Sequence, residues 1–417
     1  MKRIWRGILC LPVLLIFSAT VVKAGAPQYT FKSLYSFCAV QNCTDGKEVQ
    51  SSLLQDAQGD LFGVTSIGGQ NGAGTVFELV PNANKTKWKL HILYDFCALA
   101  NCVDGDVPIG ALIADVLGNL YGTTAAGGQN NGGLAFELKH DISGKKWHLH
   151  VLHNFYVLSW DGAFPGGVLV YQGKSSGAPY DGVSPLYGTT FEGGAVGSGS
   201  VFKLIPPQER SKWTEKVIYS FCHTDDCLDG YSPNGDMVMN SAGDLFGTTN
   251  GDSAVAFELS PTSRKNVWDY TVLHSFLDSE GAPSAPAMDT AGNLFGTLPF
   301  AGNGEIFKIM PSGESSPYSV IYTFCSQQEC TDGQEPLSEL VVDPTGNLFG
   351  TTAGGGTDGW GVVFKLNQTL QVLHDFTGVD GNSVEAGLIL DSSGDAFGAS
   401  LSGGSNNGGT IFELKHR

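Results

Sequence analysis

One element recurs seven times along the chain and leaves little choice of architecture. At residues 118–138 it reads GNLYGTTAAGGQNNGGLAFEL: a short apolar segment, a glycine-rich turn and a second apolar segment. The first half returns as GDLFGVT (59–65), SPLYGTT (184–190), GDLFGTT (243–249), GNLFGTL (292–298), GNLFGTT (346–352) and GDAFGAS (394–400). The second half follows as GTVFEL (74–79), GSVFKL (199–204), AVAFEL (254–259), GEIFKI (304–309), GVVFKL (361–366) and GTIFEL (409–414). Aromatic and branched residues fill the segments, and Gly, Asn and Asp fill the turns, as in strands joined by tight turns. A period of roughly 40–60 residues built from short strands predicts a β-propeller.

The rest of each unit is equally regular. A strand ending in LYDF (93–96) recurs as LYSF (34–37), LHNF (152–155), IYSF (218–221), LHSF (273–276), IYTF (321–324) and LHDF (373–376). A loop follows, closing on Asp45, Asp104, Asp161, Asp229, Asp332 or Asp380, each before a Gly; Glu280 takes that place once. A short apolar strand comes next, such as GALIAD (110–115) or SELVVD (338–343), and turns through D-x-x-G-N/D. Asp caps such a turn and Gly supplies its positive φ. The chain begins on an outer strand and ends on a third strand, so residues 29–37 are expected to pair with 409–416 and close the ring. The expected fold is all-β: one seven-bladed propeller of four-stranded blades over residues 25–417.

Eight cysteines of this domain share one spacing: Cys38 with Cys43, Cys97 with Cys102, Cys222 with Cys227, and Cys325 with Cys330. The other units lack both members, which predicts a disulfide within each pair, formed in an oxidising compartment. Lys2, Arg3 and Arg6, an apolar run over 8–17 and small residues up to Ala24 read as a secretory signal peptide over 1–24. Without it 19 bases face 41 acids, a balance of −22. Such a surface repels nucleic acid and anionic membranes. A secreted monomer that binds a glycan or protein, without insertion into a membrane, is expected.

The motif G-N-L-Y-G-T-T…G-G…G-x-x-F-E-L resembles the GloVer, or choice-of-anchor, tandem-repeat family of exported bacterial β-propeller proteins. The resemblance covers roughly residues 29–417 and implies the fold and an exported location. It implies no catalytic residues, and the chain stops at Arg417 without the family's anchor segment.

No serine-nucleophile elbow, metalloprotease helix or phosphate loop is present. No cofactor or metal is called for. The strand order puts the Asp-Gly loops and the Gly-Gly loops on one face. Each Asp-Gly can simply shape the start of an inner strand; alternatively the acids ring the channel as acceptors. Trp88, Trp147, Trp213 and Trp268 recur at the start of outer strands and read as packing residues. Trp160 and Trp360 break that pattern and lie in loops of the Asp-Gly face. With Asp161, Asp332 and Asp380 they are the candidate ligand-binding residues, since rings that stack and carboxylates that accept hydroxyls suit a sugar. His153, His274 and His374 alternate with Tyr at one strand position and read as part of the fold. The insertion YQGKSSGAPYDGVSP (171–185) is expected on the opposite face. The leading expectation is a non-catalytic binding module for a glycan, cell-wall component or protein. A carbohydrate-active hydrolase or lyase using carboxylates of the same face is the alternative, and a structural surface-layer role is a third.

Overall fold

The computed structural model describes residues 29–141, 146–157, 160–207, 212–233, 235–311 and 316–417. The signal peptide expected at 1–24 lies outside the described residues. Seven antiparallel sheets form a ring, each running from an inner strand at the axis to an outer strand at the rim. We number the blades I–VII. Blade I comprises Leu54–Gln55, Leu61–Thr65, Thr75–Pro81 and Trp88–Asp95. In blade III the inner position is taken by residues 168–170, where Val170 and Tyr187 exchange both backbone hydrogen bonds, 2.9 and 2.8 Å. Blade IV carries an added short strand, Tyr231–Pro233.

Ring closure follows the strand arithmetic. Tyr29–Ser36 pairs antiparallel with Thr410–His416, from Tyr29↔His416 to Ser36↔Thr410. The N-terminal strand is thus the outer strand of blade VII, and neither partner is left as an open edge.

The recurring letters of the motif are explained by one packing unit. The Phe of each third strand is fully buried, as Phe77, Phe136 and Phe364 are. Its ring occupies the space where the Gly of the second strand would carry a side chain. A Cβ on Gly63 would sit 2.6 Å from the Phe77 ring, and one on Gly350 2.7 Å from Phe364. The Phe that ends each outer strand then meets this ring of the next blade. Phe37–Phe77, Phe96–Phe136 and Phe324–Phe364 have centroids 5.3, 5.4 and 5.2 Å apart, edge to face. Burying each ring contributes roughly 2–3 kcal/mol, and the edge-to-face contact adds about 1 kcal/mol. Seven copies of this contact join blade to blade.

The cysteines pair as their spacing implied. Cys38 is bonded to Cys43, Cys97 to Cys102, Cys222 to Cys227 and Cys325 to Cys330. Cys43, Cys102, Cys227 and Cys330 each end a short 3-10 turn in the loop that leaves the outer strand. Each bridge therefore ties that turn back to the end of its strand.

Candidate functional site

The Asp of each disulfide-bearing loop is bound from two sides. Asp45 accepts the Tyr35 hydroxyl at 2.7 Å and the Ala39 and Val40 amides at 2.9 and 3.3 Å. Asp104 accepts Tyr94, Ala98 and Leu99 in the same way, and Asp229 accepts Tyr219, His223 and Thr224. Asp332 accepts the Tyr322 hydroxyl at 2.6 Å, the Ser326 hydroxyl at 2.8 Å and the Ser326 amide at 3.1 Å. These carboxylates are buried, Asp332 completely. Where the strand carries His, the same bond forms: His153 Nε2 lies 3.0 Å from Asp161 and His374 Nε2 2.9 Å from Asp380. That accounts for the alternation of Tyr and His in the sequence. Blade IV's outer strand departs: Glu280 accepts from Tyr318 instead, and His274 stacks on Tyr318 at 3.8 Å. Each acid therefore holds its own loop in place, and none of the seven lines the axial cavity.

The candidate tryptophans stand at two separate loop junctions. Trp160 is 74% exposed, next to Asp161 in the loop from blade II to blade III. Trp360 is 43% exposed and lies against the loop that carries Asp380: a Cβ on Gly378 would sit 3.3 Å from its Nε1. The structure thus brings Trp360 to the loop that carries Asp380, while Trp160 adjoins Asp161 in sequence. Asp332 sits beneath the surface at the junction of blades V and VI. Trp88, Trp147, Trp213 and Trp268 pack on the cores, as their recurrence implied.

The inner strands surround an axial channel with a cavity at each end. On the Asp-Gly face a cavity of about 390 Å³ is rimmed by Phe164, Phe191, Gln50, Asn250 and Glu385. On the opposite face a cavity of about 750 Å³ is lined in part by the insertion, through Tyr171, Lys174 and residues 177–179. Asp236 and Glu339 line both cavities and so mark the waist. They occupy one repeat position, which elsewhere is Ser52, Ala111, Val168, Ala285 or Gly387. The two side chains hydrogen-bond past blade V, from blade IV to blade VI. Asp236 also accepts the Val168 amide.

The electrostatics of the waist follow from its enclosure. Burial, then the neighbouring Asp236, push the Glu339 pKa well above the carboxylate range, against the pull of Lys174. Both effects favour the protonated carboxyl, the form that can donate a hydrogen bond. Burial pushes the Lys174 pKa down, while Asp236 and Glu339 oppose that shift.

Sequence reasoning passed over Asp236, Glu339 and Lys174. A signal existed: aligned inner strands show two acids at a position that is otherwise small or aliphatic. The insertion does lie on the face opposite the Asp-Gly loops, and its Lys174 lines the cavity there together with Asp236 and Glu339.

Comparison with known proteins supports the architecture. The model of the Gloeobacter/Verrucomicrobia repeat matches residues 18–184 and 300–417. No curated protein matches the chain. A candidate 6-phosphogluconolactonase from Bacteroides uniformis is similar in fold at 13% identity and a TM-score of 0.50, over 82% of this chain and 88% of that one. A puromycin-hydrolysing peptidase from Mycobacterium tuberculosis matches at 12% identity and 0.50, over 90% of this chain but only 53% of the peptidase. At such identities the likeness concerns the fold alone. Among the described residues no helix is long and apolar enough to cross a membrane. With the repeat matched over most of its length, the chain belongs to the Gloeobacter/Verrucomicrobia repeat family.

Proposed function

We propose that the protein is an exported binding module that takes a hydroxyl-rich ligand, a glycan or cell-wall component, on the face of the Asp-Gly loops. The observation that carries this reading is the axial cavity on that face. Two aromatic rings, Phe164 and Phe191, stand at its rim beside the polar side chains of Gln50, Asn250 and Glu385. Its volume of about 390 Å³ falls in the range of roughly 300–1,000 Å³ usual for small-ligand sites. Trp160 with Asp161, and Trp360 with Asp380, extend the surface outward for a longer chain. Asp332 acts from beneath, by fixing its loop. The four disulfides suit an oxidising, extracellular setting.

A catalytic reading has one observation in its favour, the Asp236–Glu339 pair. Hydrolysis of a glycoside by two carboxyls needs them roughly 5 Å or more apart, with the bond to be broken between them. A directly hydrogen-bonded pair is closer than that, so binding is the better reading. The test is a glycan array probed with residues 25–417, followed by calorimetry on the best ligand. Binding that weakens about fivefold or more on Phe191→Ala, with unchanged melting, supports the cavity. An array without a hit, or release of shortened product during incubation, overturns the binding reading.

A further inference from the structure

The insertion over 171–185 has no counterpart in the other blades, and both of its ends reach the seam between blades III and IV. There Gln172, Ser184 and Pro185 form one wall of a cavity of about 520 Å³, and the turn over 261–268 forms another. Gln172 Nε2 donates to the Ser241 carbonyl at 3.0 Å and ties the insertion to blade IV. These walls are turns between first and second strands and between third and outer strands, so the cavity opens on the face opposite the Asp-Gly loops. Lys203, Arg264 and Lys265 line it, and no acid among the described residues does. A chain with 41 acids and 23 bases thus gathers only bases at this seam.

The strand register sharpens the contrast. Lys203 pairs directly with Lys216 of the outer strand, so both side chains leave the same face of the sheet. The same two positions hold Glu78 and His91 in blade I, Glu137 and His150 in blade II, and Glu413 and Lys32 in blade VII. Blades IV, V and VI set a neutral residue opposite Glu258, Lys308 and Lys365. Blade III alone sets Lys against Lys, an arrangement that costs stability. None of Lys203, Lys216, Arg264 and Lys265 forms an ion pair with a described residue. Burial, then Lys216 and Lys265, lower the Lys203 pKa. Lys203 Nζ stands 5.4 Å from the centre of the Tyr187 ring, and Tyr187 meets Trp268 edge to face at 5.8 Å. Both rings line the cavity.

We propose that this seam binds a short anionic saccharide, whose carboxylate or sulfate groups meet Lys203, Arg264 and Lys265 and whose sugar ring lies against Tyr187 and Trp268. The site is on the other face from the cavity of Phe191 and does not depend on the glycan reading given there. Ammonium and guanidinium groups without a counter-charge call for an anion, and the planar Arg264 fork suits an oxyanion. Aromatic rings beside the hydroxyls of Ser184, Thr262 and Ser263 suit the faces and hydroxyls of a sugar. The volume of about 520 Å³ falls in the range of roughly 300–1,000 Å³ usual for small-ligand sites. A nucleic acid extends past the seam onto a surface rich in acids, which repels it.

The experiment measures binding of hexagalacturonate, hexamannuronate and a carrageenan hexasaccharide to residues 25–417 by calorimetry at low salt, with melting curves alongside. The first two carry carboxylates and the third carries sulfates, so the better ligand names the anion. At least one is expected to bind, and excess maltohexaose, which is neutral, does not displace it. Lys203→Met keeps the stem on Tyr187 and removes the charge. This variant and the double variant Arg264→Gln, Lys265→Gln each weaken binding about tenfold, the loss of one charge-assisted hydrogen bond. Lys365→Met removes the cation over Phe349 at the same repeat position of blade VI and binds as wild type does. Failure of all three anionic saccharides to bind, or wild-type affinity in both seam variants, overturns the site. An equal loss in Lys365→Met overturns it too, because the attraction is then diffuse. Displacement by maltohexaose, or tighter binding of dodecathymidylate, overturns the class of ligand. Should Lys203→Met unfold, the double variant in the exposed turn decides alone.

Discussion

Replacing Asp332 by Asn tests the role of the loop acids. The Asp332 carboxylate is fully buried and accepts four bonds, three of them on Oδ2: from Tyr322, the Ser326 hydroxyl and the Ser326 amide. Asn can keep an acceptor at Oδ2, but it turns an NH2 toward the Gln327 amide and removes the charge. A bond to a charged acceptor contributes about 1 kcal/mol more than a neutral one. Three such bonds and one lost contact amount to roughly 3–4 kcal/mol. An unfolding entropy of about 2.1 cal/mol/K per residue gives about 0.8 kcal/mol/K for a fold of about 390 residues, hence a Tm lower by about 4–5 °C. The pH dependence has a definite sign. Burial raises the Asp332 pKa, but the bonds from Tyr322 and Ser326 outweigh it and hold the group below its ordinary value. Its contribution is thus fully present above the unfolded value of about 3.9 and is lost as pH falls through the lower folded value. Calorimetric melting of both proteins at pH 7, 5 and 3 reads this out. A Tm within about 1 °C of wild type at pH 7, where about 4–5 °C is expected, would refute the bracket. So would a difference that does not shrink on acidification.

Three further outcomes are expected. Glu215 stands where Leu90, Leu149 and Leu370 stand in other outer strands, and burial, then Asp161, push its pKa up to about 8. A raised carboxyl pKa costs stability as pH climbs toward that value, so Glu215→Leu raises the Tm at pH 8 and much less at pH 5; discounted for solvent, the gain is about 1–2 kcal/mol. Replacing Cys325 and Cys330 together by Ala lowers stability by about 2 kcal/mol, the worth of a short loop, and mapping of the unreduced protein finds no bridge between different pairs. Glu335 is exposed and left-handed, at φ 55°, so Glu335→Gly raises stability by up to about 1 kcal/mol, read as an upward shift of the denaturant midpoint.

The fold was legible because each blade repeats one set of local rules. Alternation, turn glycines and the Phe–Gly pairing act within or between neighbouring strands, and seven copies remove ambiguity. Closure by Tyr29–Ser36 was legible from counting alone. The left-handed backbone of Val107 and Glu335 was not, since no glycine marks it. There the residue's amide donates to a carbonyl of the previous blade, Ala73 or Asn303, and that contact sets φ. The axial site was hidden for a related reason. Asp236 and Glu339 are far apart in sequence, and each alone looks like one polar residue in a short strand. Only the radial arrangement of blades IV and VI makes them a pair. Lys174 lies within the insertion, which the sequence places only on the opposite face, and nothing in its own segment ties it to Asp236 and Glu339.

The most direct measurement of the central claim is a crystal structure of residues 25–417 soaked with the best ligand from the array. The account predicts a sugar ring in the axial cavity, beside Phe191 and within hydrogen-bond distance of Asp236 or Glu339. Density for the ligand only on the outer rim of the blades, with the cavity unchanged, would contradict it.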